Sequence, residues 1–449
     1  MVHSLNSSHF FLFIFLSFQF LPSLQSPISF PINYLNEASP LQDGETTIKP
    51  RNISVPNITF TNNGLPSIDI NLGNNDKTLP VILDITSLSL WVKDNNHQGI
   101  SGYNPSVSGK PTDIAFKFNT LGGTADGKYY KDLFSFGNTS ATEVEFGVAS
   151  TTSENLKEIT GVFGLGRNYD DLKEEYKHLN SSHNLLAELN KQMILEKNIF
   201  SLKLDLNSES YFFAGDYANE TLKRSTSGYC SLLTENNEEV KHHYGCKLTH
   251  LILGNNTVEH FETNSHELES KVYFDSTSSI LKFPLSLKET LHKTNLFKNC
   301  NEIENTHTLQ CTSLEEFPGL SFVFNGYALK INNEDLFTNE GIMNIEFIDK
   351  DYFIFGLPFL KNYHTVFDNE QNILIFWTAD KTKIGNVRKF IDEKKSLFFS
   401  EYKGSLIFGV LVFIGLMIYG ISRYILKKKN QNLAAITKID TDKIEPFVA

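Results

Sequence analysis

The sequence predicts an all-β fold made of two related lobes, and three observations support this fold class. Most of residues 59–379 consist of short apolar runs bounded by Gly, Asn, Asp or Ser, which is typical of strands. Two short motifs recur in the same order in the two halves of this region. Only one clear helical pattern lies inside this region, and the membrane-like segments lie outside it, at the two ends of the chain.

The repeat is defined by two pairs of segments. Residues 81–87 (VILDITS) and 272–278 (VYFDSTS) each contain three apolar residues, an Asp, one variable residue and Thr-Ser. Residues 162–165 (VFGL) and 354–357 (IFGL) form the second pair. The Asp and the Gly are 80 residues apart in the first half and 81 in the second. This spacing predicts two homologous lobes, at residues 59–215 and 216–379.

Alternating or continuous apolar runs between turn residues predict the individual strands. The clearest are residues 114–118, 128–136, 200–204, 211–214, 320–324 and 373–377. One helix is predicted at residues 184–197, because Leu185, Leu189 and Met193 recur at a spacing of four and Leu186 lies beside them.

The two ends of the chain predict a membrane topology. Residues 10–21 are apolar and short, so residues 1–26 are predicted to be a signal peptide, followed by a short pro or linker segment at 27–58. Residues 404–422 carry no charge, and Arg423 and Lys427–Lys429 follow them. These features predict a stalk at 380–403, a transmembrane helix at 404–426 and a cytosolic tail at 427–449, as in a type I membrane protein.

Composition narrows the function further. The 449 residues include 40 Lys and Arg against 52 Asp and Glu, which gives a formal net charge of −12. Nucleic acid is therefore excluded as a partner of the whole chain, because phosphate binding requires a basic surface. A hydrophobic fraction of 40% is sufficient for a core. The chain is expected to be monomeric.

Glycosylation sequons and cysteines indicate a luminal or extracellular region. Sequons begin at Asn52, Asn57, Asn138, Asn180, Asn219 and Asn255. In an oxidising compartment the four cysteines can form two bridges. Pairing Cys230 with Cys246 and Cys300 with Cys311 closes the two shortest loops, although three connectivities are possible.

Asp84 and Asp275 end an apolar run in each half, where a buried and unpaired carboxylate would be costly. If a two-fold axis relates the lobes, the two residues can meet at it. Two carboxylates a few ångströms apart do not easily ionise together, and such a pair shares one proton.

The ordered motifs resemble the pepsin-like aspartic proteases from about Phe60 to Trp377. VILDITSLSLWV and YFDSTSSILKFP resemble the two catalytic loops, and GVFGLGR and FIFGLPFLKNYHTVFDNEQNILIFW resemble the elements that follow them. The resemblance implies a bilobal pepsin-like fold in which Asp84 and Asp275 hydrolyse a peptide or protein substrate with an activated water. It implies neither a metal nor a cofactor.

The catalytic loops differ from the family pattern of Asp, Thr or Ser, Gly, and Thr or Ser. Thr86 and Thr277 occupy the Gly positions, which is expected to shift both loops. Ile85 lacks the hydroxyl that helps to tie the loops together, whereas Ser276 keeps it.

Two further expectations concern the surroundings of Asp84 and Asp275, the pair that we call the dyad. Ser87 and Ser278 are expected to donate to the outer carboxylate oxygens. In the hairpin that resembles the flap over the cleft, Phe118 replaces the usual Tyr and loses its phenolic hydrogen bond.

Three functions remain open at this stage. The first is an aspartic endopeptidase, and the second is a weak or inactive pseudoprotease that binds peptide or protein between the lobes. The third is a glycosylated structural or adhesion region. The histidines at 242, 243, 250 and 260 do not form a recognisable metal-binding pattern.

Overall fold

The structure is a computed structural model. It describes residues 53–56, 58–73, 78–95, 102–137, 139–167, 184–204, 209–216, 227–234, 239–240, 242–254, 256–260, 270–293, 300–303, 308–311, 317, 319–338, 340–378, 387–390 and 412–431. The chain divides into two compact units, Met1–Thr47 and Ile48–Ala449, and all described residues belong to the second.

Eleven of the described strands lie in the first half of the chain. They are β1 (Ile53–Pro56), β2 (Thr59–Phe60), β3 (Pro66–Leu72), β4 (Leu79–Asp84), β5 (Trp91–Lys93), β6 (Lys110–Thr120), β7 (Gly123–Phe136), β8 (Thr142–Thr152), β9 (Gly161–Gly164), β10 (Ile199–Lys203) and β11 (Tyr211–Ala214).

Fifteen described strands follow in the second half. They are β12 (Ser227–Ser231), β13 (Tyr244–Leu248), β14 (His250–Leu253), β15 (Asn256–His260), β16 (Ser270–Phe274), β17 (Leu281–Pro284), β18 (Cys300–Glu302), β19 (Thr308–Cys311), β20 (Leu320–Phe324), β21 (Tyr327–Ile331), β22 (Ile342–Ile348), β23 (Tyr352–Phe355), β24 (Tyr363–Asp368), β25 (Ile373–Thr378) and β26 (Val387–Lys389).

The described helices are few and mostly short. They are α1 (Pro105–Ser108), α2 (Leu185–Lys191), α3 (Leu285–Lys293), α4 (Asn333–Leu336), α5 (Leu357–Leu360) and α6 at residues 412–431, with a 3₁₀ turn at Glu154–Leu156. The predicted helix at 184–197 is thus confirmed in its first half. Asn184 caps α2 by accepting a hydrogen bond from Ala187 N, and Met193 has a φ of 57° and is exposed.

Four sheets build the two lobes and the platform that they share. An eight-stranded sheet, in the order β2-β3-β4-β9-β5-β8-β7-β6, forms the first lobe. The second lobe contains a seven-stranded sheet, β13-β16-β23-β17-β22-β19-β18, and a five-stranded sheet, β15-β14-β20-β21-β26. The shared platform is a six-stranded sheet, β1-β11-β10-β24-β25-β12, which takes strands from both halves. The prediction of a mostly β, bilobal fold is confirmed.

The sequence repeat is also a structural repeat. In the first lobe β4 runs parallel to β9, with Asp84 opposite Gly164, and β5 is antiparallel to β9. In the second lobe β16 runs parallel to β23, and β17 is antiparallel to β23. Each Asp therefore stands at the carboxyl end of an inner strand, in the loop that leads to the next strand of the same sheet.

Aromatic packing fills the interior of the central platform. Phe200 of β10 stacks on Phe367 of β24, with ring centroids 4.5 Å apart, and joins the two halves of the chain. Both rings are fully buried. Burial of such side chains contributes about 2–3 kcal/mol each, so this sheet fixes the position of the loops above it.

Two described strands lie outside the predicted lobes at 59–215 and 216–379. β1 lies in the segment predicted as a pro or linker region, and it pairs with β11. β26 lies in the predicted stalk, and it pairs with β21 while Val387 is buried. Both strands are only three or four residues long, and a free sheet edge, which local sequence does not reveal, determines their structure.

Both predicted disulfides are present. Cys230–Cys246 joins β12 to β13, and Cys300–Cys311 joins the paired strands β18 and β19. All four cysteines of the chain are thereby bonded in the second half.

Several predictions concern residues that the structure does not describe. The signal peptide at 1–26 and all six sequon asparagines lie outside the described residues. Of the predicted span, residues 404–411 lie outside them, and α6 contains Arg423 and Lys427–Lys429. Among the described residues, no helix combines the length and the apolar character needed to cross a membrane. The predicted transmembrane helix is therefore not confirmed.

Candidate active site

Close backbone packing at two glycines holds the loops that follow Asp84 and Asp275 in place. A Cβ on Gly164 would lie 2.7 Å from the Ser87 carbonyl oxygen, and one on Gly356 would collide with the carbonyl oxygens of Ser278 and Ile280. Only glycine permits this approach of loop and strand. Gly166 N then donates to Ser87 O at 2.7 Å, and Leu357 N donates to Ser278 O at 2.8 Å. The recurring Gly therefore serves to position the loop that follows each Asp.

The two loops contact each other through one buried hydroxyl. Ser276 Oγ donates to Leu83 O at 2.7 Å and accepts from Ile85 N at 3.1 Å. The residue next to Asp275 thus binds the backbone on both sides of Asp84. Ser276 is completely buried, and Ile85 offers no hydroxyl for a reciprocal pair of bonds. One half of the expected link between the loops is present.

Thr86 and Thr277 have a role that the sequence did not predict. Thr86 donates to Asp84 Oδ1 through its N–H at 2.7 Å and through its hydroxyl at 2.6 Å. Thr277 does the same to Asp275 Oδ1, at 2.8 and 2.6 Å. The expectation that these threonines only displace the loops is therefore incomplete. Each one fixes the plane of its carboxylate and occupies the same oxygen atom in both lobes.

The hydroxyl of Ser278 donates to Ile280 O at 3.0 Å within its own loop. Ser87 Oγ is buried and has no hydrogen-bond partner in the part of the chain that the structure describes. The threonine hydroxyls reach the carboxylates from the preceding position. The serines therefore do not provide the carboxylate contacts that the sequence suggested.

Phe118 lies in an aromatic cluster at the hairpin formed by β6 and β7. Its ring is 4.7 Å from that of Phe116 and 6.3 Å from that of Tyr129, and this cluster also contains Trp91 of β5. Trp91 Nε1 is buried without a hydrogen-bond partner among the described residues. Phenylalanine at position 118 supplies a ring but no hydroxyl for it. Burial also raises the pKa of the Tyr129 phenol.

The tip of this hairpin is bound to its own lobe. Asn155 Nδ2 donates to Gly122 O at 3.2 Å, and Thr124 N donates to Ser153 Oγ at 2.9 Å. Leu121 and Gly122 have φ values of 50° and 70° in the two-residue turn. A non-glycine residue in this conformation is uncommon and is mildly strained.

His243 is a further polar residue close to the dyad, and its place there was not predicted from the sequence. Burial lowers the pKa of its imidazole, while Asp275 and, to a smaller extent, Asp84 raise it. The sequence signal was present, because His243 directly precedes the strand that pairs with β16. Antiparallel extension of that pairing places it opposite Asp275.

The arrangement defines a class of protein. Two homologous lobes share a platform, and in each lobe an Asp stands at the end of an inner strand. Ser276 joins the two loops that contain these Asp residues. Residues 67–378, more than half of the chain, match the family described as eukaryotic aspartyl protease, and the chain belongs to that family.

Three curated relatives show the extent of the similarity. Secreted aspartic protease 3 of Candida albicans is 26% identical over 186 residues, which are 38% of this chain and 44% of that protein. Candidapepsin of Candida tropicalis is 30% identical over 158 residues, covering 31% and 37%. Acid protease of Saccharomycopsis fibuligera is 24% identical over 315 residues, covering 67% and 77%. The chain thus spans less than half the length of the first two.

Proposed function

We propose that the chain is an aspartic endopeptidase in which Asp84 and Asp275 activate a water between them. The observation that carries this proposal is the mirrored pair of threonine contacts. In each lobe two donors hold Oδ1 of the Asp, so each carboxylate is oriented in the same way by its own loop, as a pair that activates one water requires.

The chemistry needs one proton on the pair. The ionised carboxylate removes a proton from the water, whose oxygen attacks the scissile carbonyl carbon. The protonated carboxylate donates its proton to the carbonyl oxygen, which yields a tetrahedral diol. In the collapse of this diol, the carboxyl that took the water proton donates it to the nitrogen, the C–N bond breaks, and the other carboxylate accepts a proton from a diol hydroxyl. The substrate is an extended peptide or protein segment between the lobes.

The test uses the purified full chain and a peptide library in acid. Asp84→Asn and Asp275→Asn should each lower kcat/KM by at least about 10³-fold, because either change removes the shared-proton pair. Asp69→Asn, an exposed residue of β3, is the matched control and should retain activity. A statine-type transition-state mimic should inhibit the wild type. Undiminished cleavage by either dyad variant would refute the assignment.

A silent cleft that binds peptide is the second candidate, and the first-lobe side of the site favours it. Ser87 Oγ and Trp91 Nε1 are buried without partners among the described residues, and Ile85 supplies no hydroxyl. Such a site should bind the statine peptide in calorimetry over the whole acidic range without cleaving any library member. Turnover that the dyad variants abolish would exclude this candidate.

We also propose that the chain enters the secretory pathway and is held in a membrane by residues 404–426. Two disulfides fit an oxidising compartment, one relative is named a secreted protease, and residues 404–422 carry no charge. The chain should remain in the pellet after alkaline extraction of membranes. Truncation after residue 403 should release it, and deglycosylation should increase its gel mobility. Extraction of the intact chain by alkali would refute the anchor.

A further inference from the structure

His243 occupies a position in the fold that brings an imidazole to the dyad. Tyr244 of β13 lies opposite Phe274 of β16, so His243 and Asp275 are the next residues of this antiparallel pairing. The His243 ring packs edge-on to that of Tyr273, with centroids 6.3 Å apart. The backbone N–H of His243 donates to Val240 O at 2.9 Å, which fixes the turn before the strand.

The segment around His243 also touches the first lobe. Arg167 N donates to His242 O at 2.8 Å, and Tyr244 Oη donates to Leu165 O at 3.2 Å. Leu165 and Arg167 follow Gly164, the glycine that positions the Asp84 loop. His243 is therefore held between the two halves of the site, where it can interact with both carboxylates.

His243 Nδ1 is buried and has no hydrogen-bond partner in the described part of the chain. Burial of such a polar atom costs desolvation free energy, and no hydrogen bond to a described residue offsets this cost. Its burial therefore does not stabilise the fold and suggests another role. Asp275 and Asp84 are the carboxylates that interact with the imidazole, and both favour its protonated form. Burial opposes protonation, so the net direction of the pKa is downward. The imidazole is accordingly neutral near pH 7 and gains its charge in acid.

Three other charged side chains in the described surroundings of His243, those of Arg167, Glu239 and Lys350, have partners of their own. The guanidinium of Arg167 donates to Leu233 O and to Asn372 Oδ1. Behind Tyr273, Tyr352 donates to Glu239 Oε2, and Lys350 pairs with the same carboxylate. Among the described residues, Asp275 and Asp84 are the carboxylates to which a charge on His243 is coupled, and a hydrogen bond with the Val240 backbone also favours that charge.

We propose that His243 is a positioning residue whose imidazolium keeps one carboxylate of the dyad ionised in acid and so extends cleavage to lower pH. The inference rests on the proposed endopeptidase function. A cation beside the pair disfavours uptake of a second proton, which would remove the general base. At higher pH the imidazole is neutral and leaves the shared proton in place. The effect is therefore confined to the acid limb of the pH–rate profile.

The kinetic test compares kcat/KM of the full chain with that of two variants over about pH 2–7. His243→Gln should move the acid limb upward by about one pH unit and the basic limb much less, because a charge several ångströms away contributes about 1–3 kcal/mol. His243→Lys replaces the imidazole with a stronger base that stays charged to higher pH, so both limbs should lie below those of His243→Gln. His292→Gln, an exposed residue of α3, is the control and should match the wild type.

A second measurement does not depend on turnover. Nuclear magnetic resonance of ¹³C-labelled histidine, assigned with His243→Gln, gives the titration midpoint of His243 in the wild type and in Asp275→Asn. Loss of the anion should lower this midpoint. An unchanged midpoint, or a His243→Gln profile with an unmoved acid limb, would overturn the inference. If the wild type cleaves no peptide, the proposed function fails, and the resonance experiment alone decides whether His243 is coupled to the dyad.

Discussion

The hydroxyl of Ser276 is the sharpest test of how the two lobes hold the dyad. Ser276→Ala removes the bond to Leu83 O and the bond from Ile85 N. Both backbone groups flank a buried Asp84, and alanine leaves them without these partners. A lost hydrogen bond costs about 1 kcal/mol, and an unsatisfied buried group costs about 1–3 kcal/mol. The substitution should therefore lower the free energy of unfolding by about 2–4 kcal/mol.

Urea unfolding followed by tryptophan fluorescence measures this loss. The chain has two tryptophans, Trp91 in the first-lobe sheet and Trp377 in the shared platform, so the signal reports on both. Ser278→Ala is the matched control, since its hydroxyl donates only within its own loop, and it should cost less than about 1 kcal/mol. Equal losses for the two alanine variants would refute the reasoning. A loss below about 0.5 kcal/mol for Ser276→Ala would refute it too.

Three other predictions follow from single residues. Thr277→Val keeps the N–H bond to Asp275 but removes the hydroxyl bond, so kcat/KM should fall about tenfold while Thr277→Ser retains activity. Burial lowers the pKa of His364 from 6.5 to about 4, so the stability that this histidine contributes is complete above pH 6.5 and is lost as the pH falls to about 4. The loss should approach about 3 kcal/mol in urea titrations at several pH values and be absent in His364→Gln. Met193→Asn should raise the unfolding free energy by about 0.5–1 kcal/mol, because asparagine tolerates the positive φ of this residue and the exposed methionine side chain loses little packing; a decrease would contradict this account.

The fold was accessible from sequence because its strongest signals are local and repeated. An apolar strand that ends in Asp and an apolar pair followed by Gly recur at almost equal spacing, and this defined both lobes. The strands at Tyr211–Ala214 and Leu320–Phe324 are found where alternation predicted them. β1 and β26 were not, because an available sheet edge rather than their own pattern makes them strands.

The site was accessible only in part. Residue type and position were sufficient to propose Asp84 and Asp275 as the pair. They were not sufficient to predict which hydroxyl groups contact the carboxylates, because a shift of one position along a loop decides which oxygen atom a side chain can reach. Thr86 therefore reaches the carboxylate that was expected to bind Ser87. His243 lies on a different strand from either Asp, and only the β13–β16 register brings it near them.

The departures from the family pattern differ in whether they respect the two-fold repeat, and this difference bears on activity. Thr86 and Thr277 change both loops alike, and each adds the same contact to its own carboxylate, so the relation between the two is preserved. Ile85 changes one loop only: its N–H donates to Ser276 Oγ, but its side chain has no hydroxyl, so among the described contacts the Ser276 hydroxyl has no counterpart from the other loop. Restoring the symmetry with Ile85→Thr should therefore strengthen the link, whereas changing one threonine alone should unbalance the dyad. A catalytic pair that shares one proton depends on this balance, because unequal support of the two carboxylates fixes the proton on one of them.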